Sequence, residues 1–119
     1  MGTALSTARD PDEHFVPVAD RGDLDRLFAE SAEQPVVLFK HDFACSISAR
    51  AYRELTTVQG EVPLIDVERQ KGLAAEVASR TGIEHESPQV IVLRDGRAVY
   101  AASHWGIRGG EVARAAGGA

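Results

Sequence analysis

Three apolar runs, separated by stretches of helical period, leave few architectures open to this 119-residue chain. The runs are Val36-Val37-Leu38-Phe39, Val62 to Val67, which Asp66 interrupts, and Val90-Ile91-Val92-Leu93. Apolar side chains on successive residues suit central strands covered on both faces. Between the first two runs, Ile47, Ala51, Leu55 and Val58 form one inward stripe. That stripe predicts a helix from Ser46 to Val58, ended by Gly60. Between the second and third runs, Leu73, Val77 and the alanines predict a helix over Lys71–Arg80, with Gly82 as its C-cap. Pro63 limits the middle strand to pairing at one end.

The remaining segments extend the alternation. Phe15-Val16-Pro17-Val18 reads as a short edge strand, because Pro17 cannot donate to a central ladder. Leu24, Leu27 and Phe28 predict a helix over Asp23–Ser31, with acidic residues in its first turn. Asp95-Gly96 is a two-residue hairpin signal leading into a strand over Ala98–Ala101. A last short helix fits the residues after Gly109 and Gly110, to about Ala116. The order is β-α-β-α-β-α-β-β-α, an α/β fold with a mixed central sheet. Alternation implies parallel strands with helical crossovers, and the closing hairpin implies an antiparallel edge pair. One domain over residues 15–116 is expected, after a disordered leader at 1–14 and before a frayed tail at 117–119.

Charge and hydropathy remove several function classes. A formal charge of −5 and a pI near 5.3 argue against a nucleic-acid binder, which normally shows a basic face. No apolar stretch approaches the roughly 20 residues of a membrane span. The opening residues MGTALSTARDPDEH lack the basic and apolar regions of a secretory signal. The expected compartment is the cytoplasm, and neither nucleic acid nor membrane is an expected partner.

The single cysteine, Cys45, falls where the first apolar run gives way to the helical pattern. A thiol at a helix start feels the positive end of the helix dipole and meets unpaired backbone N–H groups. Both favour the thiolate, the nucleophilic form. Three residues on, where a dithiol motif would carry its second sulfur, stands Ser48. The chain can form no internal disulfide, so its chemistry is that of one sulfur.

The strings FKHDFACSIS, ESPQVIVLRDGRAVY and ASHWGI, together with this element order, resemble the monothiol bacilliredoxin family. The similarity runs from about Phe15 to Arg114. It implies a thioredoxin-like three-layer sandwich and removal of bacillithiol, a small anionic thiol, from mixed disulfides on client proteins. Family members usually read Thr-Cys-Pro-Ile-Ser at the reactive stretch, whereas this chain has Ala44 before the cysteine and Ser46 after it. Without proline at the first helical position the loop loses a preset φ, and Ser46 brings an N–H and a hydroxyl near the sulfur.

The resemblance assigns Cys45 as nucleophile; Ser48, one helical turn away, reads either as a hydrogen-bonding companion of the thiolate or as a helix-surface or capping serine. The resemblance also implies a cis bond before Pro88, facing the cysteine, with Ser87 presenting its backbone to the ligand. Ala44, Ser46 and Ile47 then belong to the substrate-binding stretch, with Ile47 also suited to core packing. His41 reads as a solvated loop histidine or as a proton donor, and Trp105 as a wall of the site or a packed aromatic. Lys40 and Arg50 read as water-facing charges with some capacity to attract carboxylates, and His85 carries no role. No metal and no bound cofactor are expected, since His41 and Cys45 lack further ligands at metal-site spacing. The expected partners are S-bacillithiolated proteins and the small thiol itself, bacillithiol, as co-substrate. Two other classes stay open: a non-catalytic thioredoxin-like binding module, and a glutaredoxin-like iron–sulfur carrier.

Overall fold

The computed structural model describes residues 14–117. Its elements are β1 (Phe15–Pro17), α1 (Arg21–Glu30), β2 (Val36–His41), α2 (Ser46–Leu55), β3 (Val62–Asp66), α3 (Lys71–Thr81), β4 (Gln89–Arg94), β5 (Arg97–Ser103) and α4 (Gly109–Ala115). A 3-10 turn over His104–Gly106 joins β5 to α4. Each expected element is present, in the expected order. The expectations for residues 1–13, 118 and 119 lie outside the described residues. His14, assigned to the leader from the sequence, already belongs to the packed part: its Nε2 lies 2.9 Å from the Leu55 carbonyl.

The five strands form one sheet in the order β1-β3-β2-β4-β5. Successive residues of β2 feed opposite layers. Val37 and Phe39 pack with Ala51, Leu55 and Val112 against α2 and α4, whereas Val36 and Leu38 pack with Leu24, Leu73 and Val77 against α1 and α3. This is the three-layer sandwich the family resemblance implied, with two helices on each face. Pro63 behaves as expected: β3 pairs with β2 only from Leu64 onward and gives its first residues to β1. No described helix is long and apolar enough to cross a membrane.

One expectation fails. The crossover through α3 does not return a parallel strand, because β4 runs antiparallel to β2, with Lys40 opposite Gln89 and Val36 opposite Leu93. The cause is the extended stretch after α3. Residues 82–88 are long enough, at about 3.3 Å each, to run back along the whole length of α3. β4 therefore starts at the end of the sheet where β2 finishes. The antiparallel part is β2-β4-β5, not the closing pair alone.

The hairpin itself forms as predicted. Asp95 and Gly96 both adopt positive φ, at 53° and 76°, the signature of a type I′ turn. Ser31, the residue after α1, fixes this turn in place. Its carbonyl accepts the Asp95 N–H at 2.8 Å and its hydroxyl oxygen accepts the Gly96 N–H at 2.8 Å.

Gly109 opens α4 where the helix crosses α2. Its N–H donates to Glu54 Oε1 at 2.8 Å, and a Cβ there would fall inside contact distance of Thr57 Oγ1 and the Glu54 carbonyl oxygen. Because one of those atoms is backbone, Gly109→Ala is expected to destabilise the protein by about 1–3 kcal/mol. Urea denaturation with an unchanged midpoint would show that α4 shifts freely against α2.

Candidate active site

The C-terminal ends of β2 and β3, the start of α2, the residues around Pro88 and the 3-10 turn all meet at one end of the sheet. Strand register brings them there: Lys40 pairs with Gln89, His41 with Asp66, and Gln89 with Ser103. The turn between β2 and α2 is closed by a hydrogen bond from the Cys45 N–H to the Asp42 carbonyl, at 3.1 Å. The Asp42 carboxylate adds a second bond, accepting the Ala44 N–H at 2.9 Å.

Cys45 is the N-cap of α2, with extended φ and ψ of −112° and 128°. Its carbonyl accepts the Ala49 N–H, which starts the helix. No side chain caps this terminus and no acidic residue lies in the first turn, so the helix dipole at the sulfur is not offset locally. Cys45 is half-buried, Ala44 and Ser46 are exposed, and Phe43 is 64% exposed beside them.

Ser48 stands differently from the expectation. It is fully buried, in the inward stripe with Ala51 and Leu55, and Ile47 is only half-buried. Its hydroxyl oxygen accepts the Asp42 N–H at 2.9 Å and lies 2.7 Å from His41 Nδ1. Ser48 thus ties the cysteine-bearing turn to the end of β2 and makes no hydrogen bond to Cys45. His41 is likewise no solvated loop residue. It is buried on β2 against Phe39, Phe43 and Tyr52, with the Phe43 ring edge-on at 4.2 Å. Burial pushes its pKa down, and Asp42 and Asp66 only partly oppose this. Near neutral pH His41 is an uncharged partner of Ser48, not a cation beside the sulfur.

The Ser87–Pro88 peptide is cis, as the resemblance implied. The Pro88 carbonyl accepts the His104 N–H at 3.0 Å, and His104 Nε2 lies 3.4 Å from the Glu86 carboxylate. These contacts join the Pro88 loop to the turn that carries Trp105. Arg50, on α2, holds the same turn from the other side. Its guanidinium donates to the Ile107 carbonyl at 3.1 Å and sits 5.5 Å from the centroid of the Trp105 ring. Arg50 is therefore a tether rather than a water-facing charge, and Trp105 is 62% exposed rather than packed under the last strand.

Sequence reasoning missed two residues. Lys40 is completely buried, and burial pushes its pKa down to about 8. Its Nζ reaches His85 Nδ1 at 3.2 Å, which gives His85 a partner in the core. The only sequence signal for Lys40 was position, two residues before the turn and directly after four apolar residues of the same strand. Among the described residues, no group of three or more His, Cys, Asp or Glu is placed to hold a metal ion.

Comparison with known proteins bears on the family and the fold. The family model described as "Monothiol bacilliredoxin BrxC" matches residues 17–112. Among solved structures, one described as "A putative oxidoreductase with a thioredoxin fold" superposes with a TM-score of 0.80 at 23% identity, over 88% of this chain and 96% of its own. Thioredoxin from Fasciola hepatica gives a TM-score of 0.64 at 17% identity, over 83% and 93% of the two chains. The Edwardsiella tarda protein Trxlp gives 0.62 at 17% identity, over 85% and 97%. At such identities these structures establish the thioredoxin-like fold alone.

Proposed function

The chain belongs to the monothiol bacilliredoxin family, and on that premise we propose that Cys45 removes bacillithiol from mixed disulfides on client proteins. The Cys45 thiolate attacks the bacillithiol sulfur of the mixed disulfide. The client leaves as a thiolate, and bacillithiol becomes disulfide-bonded to Cys45. A second bacillithiol thiolate attacks this adduct, giving bacillithiol disulfide and free Cys45. Each step forms one S–S bond and breaks one, so electrons balance without an external oxidant. The cytoplasm, where thiols are kept reduced, supplies the second bacillithiol.

One observation carries this reading. The only sulfur able to act sits half-buried at an uncapped helix start, and the position one turn on holds a serine hydroxyl committed to His41 and to the Asp42 N–H. No internal thiol is available to clear the adduct, so an outside thiol must. Ser46 adds a backbone N–H in the first helical turn that proline would lack. Exposed Phe43 and Trp105, with half-buried Ser87, supply the surface a client meets, and buried Pro88 shapes the backbone beneath it.

Intact mass spectrometry after incubation with bacillithiol disulfide tests the proposal. The parent is expected to gain one bacillithiol and Cys45→Ser none. A parent that reacts with iodoacetamide at Cys45 yet gains no bacillithiol would refute it.

A further inference from the structure

A groove of about 380 Å³ opens between the first turns of α3 and the loop before Pro88. Its charged and polar lining is Asp42, Glu68, Lys71, His85 and Ser87, with Val67 on its apolar side. Asp42 is also the first residue of the hydrogen-bonded turn that ends on Cys45. The ends of such a turn lie within about 7 Å. A small molecule joined through sulfur to Cys45 therefore has the groove within reach of its body.

The lining carries both signs. A purely anionic ligand would face Asp42 and Glu68, and a purely cationic one would face Lys71. The groove suits a ligand carrying both an ammonium and carboxylates, and its volume is that of a small-molecule site.

The basic side is built from inside the protein. Lys40 lies wholly buried on the central strand, and its Nζ is 3.2 Å from His85 Nδ1. The ammonium does not engage Gln89, directly across on β4, whose Oε1 is buried without a partner among the described residues. An ammonium can only donate, so Nδ1 must accept, and the imidazole then carries its proton on Nε2. His85 thus lines the groove as a fixed Nε2–H donor. Partial burial, followed by the charge of Lys40, lowers the pKa of this ring, and Glu86 opposes them.

We propose that this groove seats the non-sulfur body of a low-molecular-weight thiol bearing both an ammonium and carboxylates, while its sulfur is exchanged at Cys45. Asp42 and Glu68 meet the ammonium, and Lys71 and His85 Nε2–H meet the carboxylates. Lys40 acts through His85, as a positioning residue. The inference rests on the exchange reaction proposed above and names the place where its small-thiol partner binds.

The test starts from a Cys45–2-mercaptoethanol adduct, whose small uncharged body leaves the groove empty, and measures its reduction by three thiols: bacillithiol, glutathione and uncharged 2-mercaptoethanol. Lys71→Met and His85→Leu, both at exposed positions, are each expected to slow reduction by bacillithiol about tenfold, the usual size of a lost charged hydrogen bond. Lys40→Met is expected to slow it in the same direction, and reduction by 2-mercaptoethanol is expected to stay within twofold in all three. A parallel loss with glutathione would define the site by its charges, and a loss with bacillithiol alone would define it by that thiol's own shape; either supports the groove. Unchanged bacillithiol rates, or equal losses with 2-mercaptoethanol, would overturn it. A parent that forms no adduct at all would refute the exchange reaction instead, so the two failures are distinguishable.

Discussion

Lys40→Met is expected to stabilise the protein at pH 7 by about 3 kcal/mol, a gain that disappears as the pH passes 10. Lys40 is buried completely, and its nearest partner is a neutral imidazole rather than a carboxylate. A buried ammonium without an anion is costly. Lowering its pKa from 10.5 to about 8 corresponds to about 3 kcal/mol of folding free energy. The direction follows from proton counts. Below pH 8 both folded and unfolded chains carry the charge, and the full penalty applies. Between about 8 and 10.5 the unfolded chain holds a proton that the folded one has released, so stability rises with pH. Above 10.5 neither state is charged and the penalty is gone. Methionine fills a similar volume without a charge, so its variant lacks this rise. Urea denaturation of both proteins at pH 7 and pH 10.5 measures the effect, because all other titrating groups cancel in the difference. A variant less stable than the parent at pH 7, or a gap equal at both pH values, would show that the fold holds the Lys40 ammonium as well as water does, with no penalty to remove. Together with the slowed reduction by bacillithiol, a gain in stability would mark Lys40 as a residue whose cost to the fold is tied to its work at the groove.

Lys40 also shows where the sequence stops being readable. The run Val36–Phe39 announced a strand covered on both faces, and the structure places those four residues in two apolar layers. The strand continues for two more residues, equally buried, but Lys40 and His41 are polar and read as the start of a loop. Hydropathy registers burial only when the buried group is apolar, so buried polar pairs escape it. Ser48 escaped for the same reason: helical period put Ile47 inside, whereas the buried stripe is Ser48, Ala51 and Leu55. The direction of β4 was invisible for a different cause. A strand buried on both faces has the same composition whichever way it runs, and only the length of the stretch before Pro88 distinguishes the two. By contrast, the cysteine at the start of α2 and the turn at Asp95-Gly96 rest on local backbone chemistry, and these were legible. The cis bond at Pro88 was legible only through the family resemblance.

Ser48→Cys is expected to abolish the stable bacillithiol adduct that the parent accumulates. Cys45 is the N-cap of α2 and Ser48 its third helical residue, and a spacing of three residues in a helix brings Cα atoms about 5 Å apart, a separation a disulfide can span. Once bacillithiol is bonded to Cys45, the introduced thiol attacks the Cys45 sulfur and expels bacillithiol as a thiolate. An internal disulfide remains and the first bacillithiol is released without a second; two further thiol equivalents are then needed to return the variant to its reduced form. Because the attack is intramolecular, it outruns any external thiol at ordinary concentrations. Intact mass spectrometry is expected to show the parent heavier by one bacillithiol and the variant lighter by two hydrogens. The substitution also weakens the bonds to the Asp42 N–H and His41 Nδ1, since sulfur is a poorer partner than oxygen. That should destabilise the reduced variant by about 1–3 kcal/mol. A variant that keeps the adduct at the parent's level would mean that the side chain at 48, held inward by His41, cannot meet the sulfur at 45. In that case the one-sulfur chemistry of this chain would be fixed by the geometry of the β2–α2 junction as well as by the missing second cysteine.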